Sequence, residues 1–282
     1  MPTRDVSAES TLWQTPLGSE LRLQATLQTI DFLSDLHLQA SDPATLHCAL
    51  TYFEQTPAQA VFILGDLFEA WVGDDALIEP EGFEIACHDA LRALSQRAEV
   101  YFIHGNRDFL LGPAFAQGCS LRLLPDPCVL SWQGQRLLLS HGDAWCSADT
   151  SYQAFRRQVR SAAWQIGFLA KPLTQRRQLA SAMRQQSRQH QAQRSGGPQT
   201  DIDLNAAAAA LQQAQAQTLI HGHTHQPGDQ RVALPGFPPW QRHVLSDWDL
   251  KLWPPRAQVL RYRGRQHPPE RIALAGSVPV SA

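Results

Sequence analysis

Five short segments of the chain place metal-binding residue types at the ends of apolar runs. The segments are Asp35-Leu36-His37, Gly65-Asp66, Gly105-Asn106-Arg107-Asp108, His141-Gly142-Asp143 and His221-Gly222-His223-Thr224-His225. One such segment alone is weak evidence, because Asp is also a common turn and N-cap residue. Five of them, four with a glycine beside the ligand type, predict a metal centre assembled from strand ends.

The residue types restrict which ions fit this centre. Carboxylate, amide and imidazole groups without a thiolate suit Mn, Fe, Zn or Ni better than Ca or Mg alone. The candidate ligands are Asp35, His37, Asp66, Asn106, His141, His221 and His223. This set exceeds what one ion binds while keeping open positions, whereas two ions about 3.5–4 Å apart account for it. Asp66, directly after an apolar run, is the strongest single candidate.

The first pair of candidates also has a simpler interpretation. Asp35 and His37 lie two residues apart, so on extended backbone both side chains point to the same side. That arrangement suits two ligands of one ion. The alternative is a strand-end Asp that caps the next turn beside a partly exposed His.

Strand and helix patterns alternate along the chain, which indicates an α/β fold. Strands are predicted at about 28–34, 61–64, 100–103, 136–140 and 217–220, with further strands at 241–246 and 257–263 that close a second sheet. Helices are predicted at about 43–55 and 83–97. Each of the first five strands ends at one of the candidate segments.

The bulk composition narrows the class of protein. With 282 residues the chain supports one large domain, or one domain with an insertion. The net charge of -2 gives no overall attraction to nucleic acid. Five scattered cysteines without a CxxC pair exclude a disulfide framework or a zinc ribbon. No signal-peptide pattern or membrane-spanning run is present, which predicts a cytoplasmic protein.

One segment departs from the neutral charge balance. Residues 150–200 contain no Asp or Glu, and their basic residues are Arg156, Arg157, Arg160, Lys171, Arg176, Arg177, Arg184, Arg188 and Arg194. Apolar residues lie between them, as in a basic amphipathic helix. Such a segment binds anionic membrane surfaces or nucleic acid, or covers an acyl chain. The alternative is a solvated, arginine-rich helix face over an ordinary core stripe.

These observations divide the chain into four parts. Residues 1–26 are predicted to be a loosely ordered N-terminal extension, and 266–282 a peripheral C-terminal tail. The core is predicted to consist of 27–149 and 203–265. The basic segment, 150–202, is predicted to be a helical lid inserted beside the metal centre.

In order, the five segments resemble the five motifs of the calcineurin-like metallophosphoesterases. With this resemblance we predict a four-layer αββα sandwich, two mixed sheets face to face with helices outside. The resemblance implies that Asp35, His37, Asp66 and His223 bind one metal, and that Asp66, Asn106, His141 and His221 bind the other. The catalytic residues it implies are Asp66, Asn106, Arg107 and His141.

The third segment departs from the general pattern of that family. Most members have His after the Asn, whereas this chain has Arg107. Arginine cannot supply a proton near neutral pH, but its planar fork can bind phosphate oxygens through two nitrogens. A leaving group that needs no general acid is therefore expected, which favours a pyrophosphate bond over a simple alkyl phosphate.

Residues 64–75 and 101–112 resemble a narrower family, the UDP-2,3-diacylglucosamine pyrophosphatases of lipid A synthesis, and the similarity covers about 28–263. It implies two Mn²⁺ ions, with hydroxide generated at neutral pH attacking the UMP-side phosphorus. The products would be UMP and 2,3-diacylglucosamine 1-phosphate, made at the cytoplasmic face of the inner membrane. The substrate contacts it implies are Asn106, Arg107, Asp149, Ser187, Gln191, Arg194 and His221.

The match to the family's substrate contacts differs from position to position. At Gln191 and Arg194 the chain carries Gln in place of Asn and Arg in place of Lys. Asp149 has a second interpretation as the N-cap of the following helix. His104 and His225 adjoin the motifs and could orient ligands, although a purely structural role is the favoured interpretation for both.

Three other functions compete with this one. The first is a pyrophosphatase or phosphodiesterase that acts on another, soluble nucleotide. The second is a non-catalytic membrane-binding scaffold that keeps the metal fold. The third is a nuclease, which ranks low because the basic segment lacks aromatic residues spaced as a stacking platform. We expect no nucleic-acid partner, and no protein partner can be inferred.

Overall fold

The computed structural model describes the backbone of residues 11–15, 18–78, 82–193 and 201–274, and the side chains of 20–78, 82–187 and 201–274. Within these ranges the chain forms thirteen strands and seven helices. The helices are α1 (Pro43–Gln55), α2 (Gly82–Ser95), α3 (Pro113–Gly118), α4 (Thr150–Val159), α5 (Ala162–Leu169), α6 (Leu173–Gln193) and α7 (Leu204–Ala214).

The strands, numbered in chain order, form two mixed sheets. The seven-stranded sheet has the order β1 (Thr11–Thr15), β2 (Gly18–Arg22), β7 (Cys128–Trp132), β8 (Gln135–Ser140), β9 (Thr218–His221), β11 (Trp240–Val244), β10 (Gly228–Val232). The six-stranded sheet has the order β13 (Glu270–Ala273), β12 (Gln258–Arg263), β3 (Thr29–Leu33), β4 (Ala60–Leu64), β5 (Glu99–Ile103), β6 (Arg122–Leu124). In the six-stranded sheet β3 to β6 run parallel.

The two sheets pack face to face with helices on both outer sides. Strand β4 has a continuously apolar sequence because all five of its residues are buried. Phe62 and Leu64 face the core between the sheets, while Val61 and Ile63 face the layer of α1 and α2. A third cluster covers the other sheet with α7, through residues such as Leu211. The predicted four-layer αββα architecture is confirmed.

The beginning and the end of the chain differ from the sequence interpretation. Residues 1–26 are predicted to be a loose extension, but β1 and β2 extend the seven-stranded sheet, and β2 pairs in parallel with β7. Leu21 is buried, and Glu20 contacts Ser131 and Arg136 of the neighbouring strands. In the predicted tail 266–282, β13 forms an edge strand against β12. β2 and β13 are short and largely polar, so pairing with their neighbours rather than their own sequence pattern defines them.

Three helices, α4 to α6, fill the predicted lid segment, and core carboxylates bind their arginines. Arg176 is 1% exposed and binds Asp75, Arg177 binds Glu84, and Arg184 binds Glu69. The sequence shows a segment without acids, whereas the structure supplies the counter-charges from the core. No described helix is long and apolar enough to cross a bilayer.

Candidate metal centre

The five candidate segments meet at one rim of the sandwich. Asp35, Asp66 and Asn106 follow β3, β4 and β5, which are neighbouring parallel strands of one sheet. His141 follows β8, and His221 ends β9, the parallel neighbour of β8 in the other sheet. Parallel neighbours end on the same side, so the carboxyl ends of both sheets present their side chains to one cleft.

Glycine lies next to these residues because the candidate ligands fill the space that a side chain at the glycine position would need. A Cβ on Gly105 would lie 2.1 Å from Asp66 Oδ1, and one on Gly222 would lie 2.4 Å from Asp35 Oδ2. Gly65 has a φ of +87°, and a Cβ there would approach His141 Nδ1 to 2.6 Å. The rim is therefore packed closely enough that any larger residue would displace a candidate ligand.

The backbone at the rim is unusual. Asp35, His37, Asp66, His223 and His225 all have φ between 49° and 66°, the left-handed region that non-glycine residues rarely adopt. Hydrogen bonds hold two of these turns, from Asp35 N to Gly65 O and from His37 N to Asp66 O, both 3.0 Å. Such strain concentrates at functional sites. Here it turns the side chains back across the cleft.

Asp35, Asp66 and His141 form the first group that could bind a cation. All three are buried, and one ligand atom from each lies within 4.8 Å of the others. Asp35 Oδ2 accepts hydrogen bonds from Ser34 Oγ and from His223 N, at 2.5 and 2.9 Å. Asp35 Oδ1 is buried, and imidazole nitrogens face it, His225 Nε2 at 3.3 Å and His37 Nε2 at 3.9 Å. A buried carboxylate oxygen needs a partner of opposite charge, and a cation bound between these groups would supply it.

A second group adds His225 to Asp35 and His37. His225 Nε2 lies 3.3 Å from His37 Nε2 and 3.3 Å from Asp35 Oδ1. The sequence interpretation favoured a structural role for His225. Its left-handed φ directs the ring toward Asp35, a property that motif spacing does not reveal.

Asn106 joins the two sides of the cleft. Its amide oxygen lies 3.0 Å from His141 Nε2 and 3.0 Å from His223 Nδ1. The same oxygen is the amide atom that would bind a cation, so these three side chains converge on one point. His141 Nδ1 in turn lies 2.9 Å from Leu64 O, which fixes the orientation of the ring.

The structure does not bring His221 into either group. Its Nε2 accepts a hydrogen bond from Arg242 Nε at 3.0 Å, and its Nδ1 lies 2.8 Å from Gly222 O. Burial and the charge of Arg242 lower the pKa of His221 to about 3. The ring is neutral, but it must release one of these two contacts before it can bind an ion.

The electrostatics fit a cation site. Burial lowers the pKa of His37 and of His223 to about 4, so both are neutral ligands at neutral pH. Burial also opposes charge on His141, but the carboxylates of Asp66 and Asp35 outweigh it and raise its pKa to about 9. The cleft therefore attracts positive charge strongly, which is the property that divalent ions require of a site.

Similarity to known proteins agrees with this geometry. A profile of the calcineurin-like phosphoesterase superfamily domain matches residues 29–241. The UDP-2,3-diacylglucosamine hydrolase of Aromatoleum aromaticum is 44% identical over 221 residues, which cover 77% of this chain and 88% of the relative. The chain belongs to the calcineurin-like phosphoesterases, in the family of these hydrolases. The predicted family membership is confirmed, and members of this superfamily use two metal ions.

Other relatives in the family show the same extent of similarity. The UDP-2,3-diacylglucosamine hydrolase of Aeromonas salmonicida is 45% identical over 224 residues, 77% of this chain and 85% of the relative. That of an Escherichia coli strain is 42% identical over 220 residues, 77% of this chain and 90% of the relative. The matched lengths therefore span nearly all of these hydrolases.

Within this phosphoesterase, the predicted substrate contacts lie in different settings. Arg107 donates its backbone N–H to Asp66 Oδ1 at 2.8 Å, and its partly exposed side chain has Nε 3.9 Å from Asp66 Oδ2. Asp149 caps α4 by accepting a hydrogen bond from Tyr152 N, as its alternative interpretation predicts. Ser187 lies on α6, half-buried. The Gln191 side chain and all of Arg194 lie outside the described residues.

Two carboxylates of the motifs support the centre, although the sequence interpretation gave neither a role. Asp108 is fully buried and accepts backbone N–H groups from Gly105 and Leu67, at 2.9 and 2.7 Å. It thereby ties the loop after β4 to the loop after β5. Burial and the charge of Asp66 raise the pKa of Asp108 to about 7. Its position two residues after Asn106 was the only sequence signal.

The second supporting carboxylate is Asp143, which fastens the lid to the rim. It is buried and accepts hydrogen bonds from Arg156 Nε, at 2.8 Å, and from Tyr152 Oη. Arg160, one turn further along the chain, donates to Gly105 O at 2.9 Å. The first helix of the lid therefore contacts the rim directly, through Asp143 and through the loop that carries Asn106.

Proposed function

We propose that this phosphoesterase hydrolyses the pyrophosphate bond of UDP-2,3-diacylglucosamine, releasing UMP and 2,3-diacylglucosamine 1-phosphate. The observation that carries the proposal is the cleft of converging carboxylate, amide and imidazole groups, with the Arg107 guanidinium beside Asp66. The names of the relatives supply the substrate. A soluble nucleotide as substrate is the alternative, and it uses the same cleft.

The proposed cofactor is a pair of Mn²⁺ ions. The proposed ligand sets are those that the sequence predicts, Asp35, His37, Asp66 and His223 for one ion and Asp66, Asn106, His141 and His221 for the other, with His225 added as a candidate. Bound ions supply a Lewis acid and an activated water at neutral pH. The two groups of buried or half-buried ligand atoms that share Asp35 support this assignment.

The residues themselves position the substrate. Asp66 accepts the Arg107 N–H, so the residue proposed to bind both ions also fixes the loop that carries the guanidinium. The Arg107 fork would bind phosphate oxygens and neutralise the negative charge that accumulates on them. It donates no proton, which agrees with a phosphate leaving group. Asp149, Ser187, Gln191, Arg194 and His221 are proposed to contact the remainder of the substrate.

The proposed location is the cytoplasmic face of the inner membrane, where an acylated UDP-sugar resides. The helices α4 to α6 would cover the acyl chains. Their exposed apolar residues, Phe155, Ile166 and Leu169, support this role. No nucleic-acid partner is proposed, since core carboxylates bind much of the basic charge of the lid.

The test is a product analysis across a series of metals. Purified protein with Mn²⁺ and UDP-2,3-diacylglucosamine should release UMP, whereas release of UDP or of inorganic phosphate would contradict the proposed bond. The same protein should turn over unacylated UDP-glucosamine far more slowly. Equal rates on the two substrates would favour the soluble-nucleotide alternative.

A further inference from the structure

One loop at the rim carries an exposed tryptophan that the metal centre does not explain. Trp253 is 94% exposed, more than any other large hydrophobic residue that the structure describes. Its neighbour Leu252 is 41% exposed. Trp253 lies in the segment Lys251-Leu252-Trp253-Pro254-Pro255-Arg256, which we call the Trp253 loop.

The base of the Trp253 loop contacts residues of the metal centre. Asp249 and Arg256 close its base with a pair of backbone hydrogen bonds of 2.8 and 3.0 Å. Just before this base, Trp248 N donates to Asp35 O at 2.9 Å. Asp247 lies 3.6 Å from His225 Nδ1 and also binds Arg256. The exposed tip therefore follows, within a few residues, two positions that contact the candidate metal ligands Asp35 and His225.

The lid lies on the same rim of the molecule. It begins after the His141 segment, and Arg160 contacts Gly105 O, the residue before Asn106. The lid and the base of the Trp253 loop therefore each contact a segment that carries candidate metal ligands, through Gly105 O and Asp35 O.

The chemistry of the loop suits a lipid surface. Tryptophan partitions into the interface between headgroups and acyl chains. Pro254 and Pro255 have no N–H groups, so the tip exposes fewer backbone donors that would lose water on insertion. Lys251 and Arg256 flank the tip, but each binds a carboxylate, Asp42 and Asp247 respectively, so the flanks carry no net positive charge. The attraction to lipid therefore comes from the apolar tip.

The size of the patch argues against a stable protein partner. A specific protein interface buries about 800 Å² on each side. A tip of two large apolar residues falls well short of that area. One or two aromatic or aliphatic side chains instead give weak, reversible membrane attachment, which suits an enzyme that must collect a lipid and leave.

We propose that the Trp253 loop inserts into the surface of a lipid bilayer and holds the metal centre close to it. The inference deepens the proposed function and rests on it, because a lipid substrate gives the attachment its role. The attachment itself is independent of catalysis, so it is measurable without any substrate.

The first experiment uses full-length protein and vesicles of phosphatidylglycerol and phosphatidylcholine. We expect Trp253→Ser to weaken co-sedimentation about fivefold to tenfold. Ile85→Ser, which removes an exposed apolar residue of α2, should leave binding unchanged. Equal binding of Trp253→Ser and the parent protein would overturn the proposal.

A second measurement locates the side chain itself. Vesicles that contain brominated acyl chains should quench part of the tryptophan fluorescence of the parent protein, and Trp253→Phe should lose that quenching while keeping its binding. Quenching that persists in Trp253→Phe would overturn the insertion. So would concentration-dependent dimers in the parent protein that Trp253→Ser abolishes, since the loop would then bind a second copy.

Activity separates this inference from the proposed function. With substrate dispersed in detergent, Trp253→Ser should turn over at the parental rate, and with substrate embedded in vesicles it should be several-fold slower. If neither protein releases UMP in either assay, the proposed function fails, while the binding experiments still decide the fate of the loop.

Discussion

At the scale of single residues, the rim depends on glycines that lie directly against the carboxylates of the candidate metal ligands. Gly105 is placed so that the Asp66 carboxylate lies where its side chain would be. Asp66 in turn accepts the Arg107 N–H and faces His141 at 3.8 Å. A change at either residue therefore disturbs both sides of the cleft.

We expect Gly105→Ala to abolish UMP release, because the new methyl group would collide with Asp66 Oδ1 and Asp66 N. The overpacking should also destabilise the fold by about 1–3 kcal/mol. Gly167→Ala is the matched control, since nothing lies within 4 Å of its added Cβ in α5. Full activity of Gly105→Ala in the product assay would show that the close packing is not required.

Asp66→Asn tests the carboxylate itself. The amide keeps the shape but loses the charge that attracts cations, so bound metal measured by elemental analysis should fall together with turnover. A loss of at least about 10³ in rate is expected when metal-assisted chemistry fails. Asp89→Asn, on the exposed surface of α2, should retain both properties. Unchanged metal content in Asp66→Asn would contradict the proposed ligand role, and activity that survives its loss would contradict the proposed mechanism.

At the scale of elements, helix α6 is fastened by an arginine that is almost completely buried. Arg176 donates to Val72 O, to Lys171 O and to both oxygens of Asp75. These contacts join the start of α6 to the loop that follows the Asp66 strand. Leu173, Leu179 and Ala180 also pack against the core, so both charge and apolar contacts hold the helix in place.

Arg176→Met should therefore loosen α6 while leaving the metal centre intact. Two backbone carbonyls would lose their donor, at a cost of about 3 kcal/mol. Amide hydrogen exchange in α6 should become faster, and metal content should stay at the parental value. Arg157→Met, at an exposed position of α4, is the control. If α6 exchanges at the parental rate in Arg176→Met, the fastening role is wrong.

The sequence predicts some elements well and others not at all, for physical reasons. The Asp66 strand is visible because burial on both faces makes it continuously apolar, and the glycines mark where ligands crowd the backbone. Strand β2 is invisible because its partner β7 lies more than 100 residues away. The counter-charges of α6 are equally remote, 101 residues from Arg176 to Asp75. His225 lies beside Asp35 in a left-handed backbone conformation, which the residue types and their spacing do not indicate.

At the scale of the whole molecule, Glu20 secures the N-terminal strands to the sheet. Burial opposes its charge, but contacts with Arg22, Ser131 and Arg136 outweigh burial and lower the pKa of Glu20. A carboxyl group whose pKa is lowered by folding stabilises the fold above its unfolded pKa of about 4.3. That contribution is lost as the pH falls through the folded pKa.

Glu20→Gln should accordingly be less stable than the parent by about 1–3 kcal/mol at pH 7. The difference should shrink as the pH falls below about 4, where the parent also loses the charge. Urea unfolding at several pH values measures it. Glu54→Gln, on the exposed side of α1, should follow the parent at every pH. A constant difference between Glu20→Gln and the parent would contradict the electrostatic cause.

The pairing of β12 with β3 has a consequence for how the protein is made. Arg261 on β12 binds Asp31 on β3 through two buried hydrogen bonds of 2.7 Å, across 230 positions of sequence. During synthesis on the ribosome, β3 emerges long before its outer neighbour β12, which follows it by more than 200 residues. Until then one edge of β3, the strand that leads to Asp35 and His37, stays open to solvent and to other nascent chains. Covering the strand that leads to the metal centre therefore requires a contact between segments 230 positions apart, so this edge of the sheet closes late in folding.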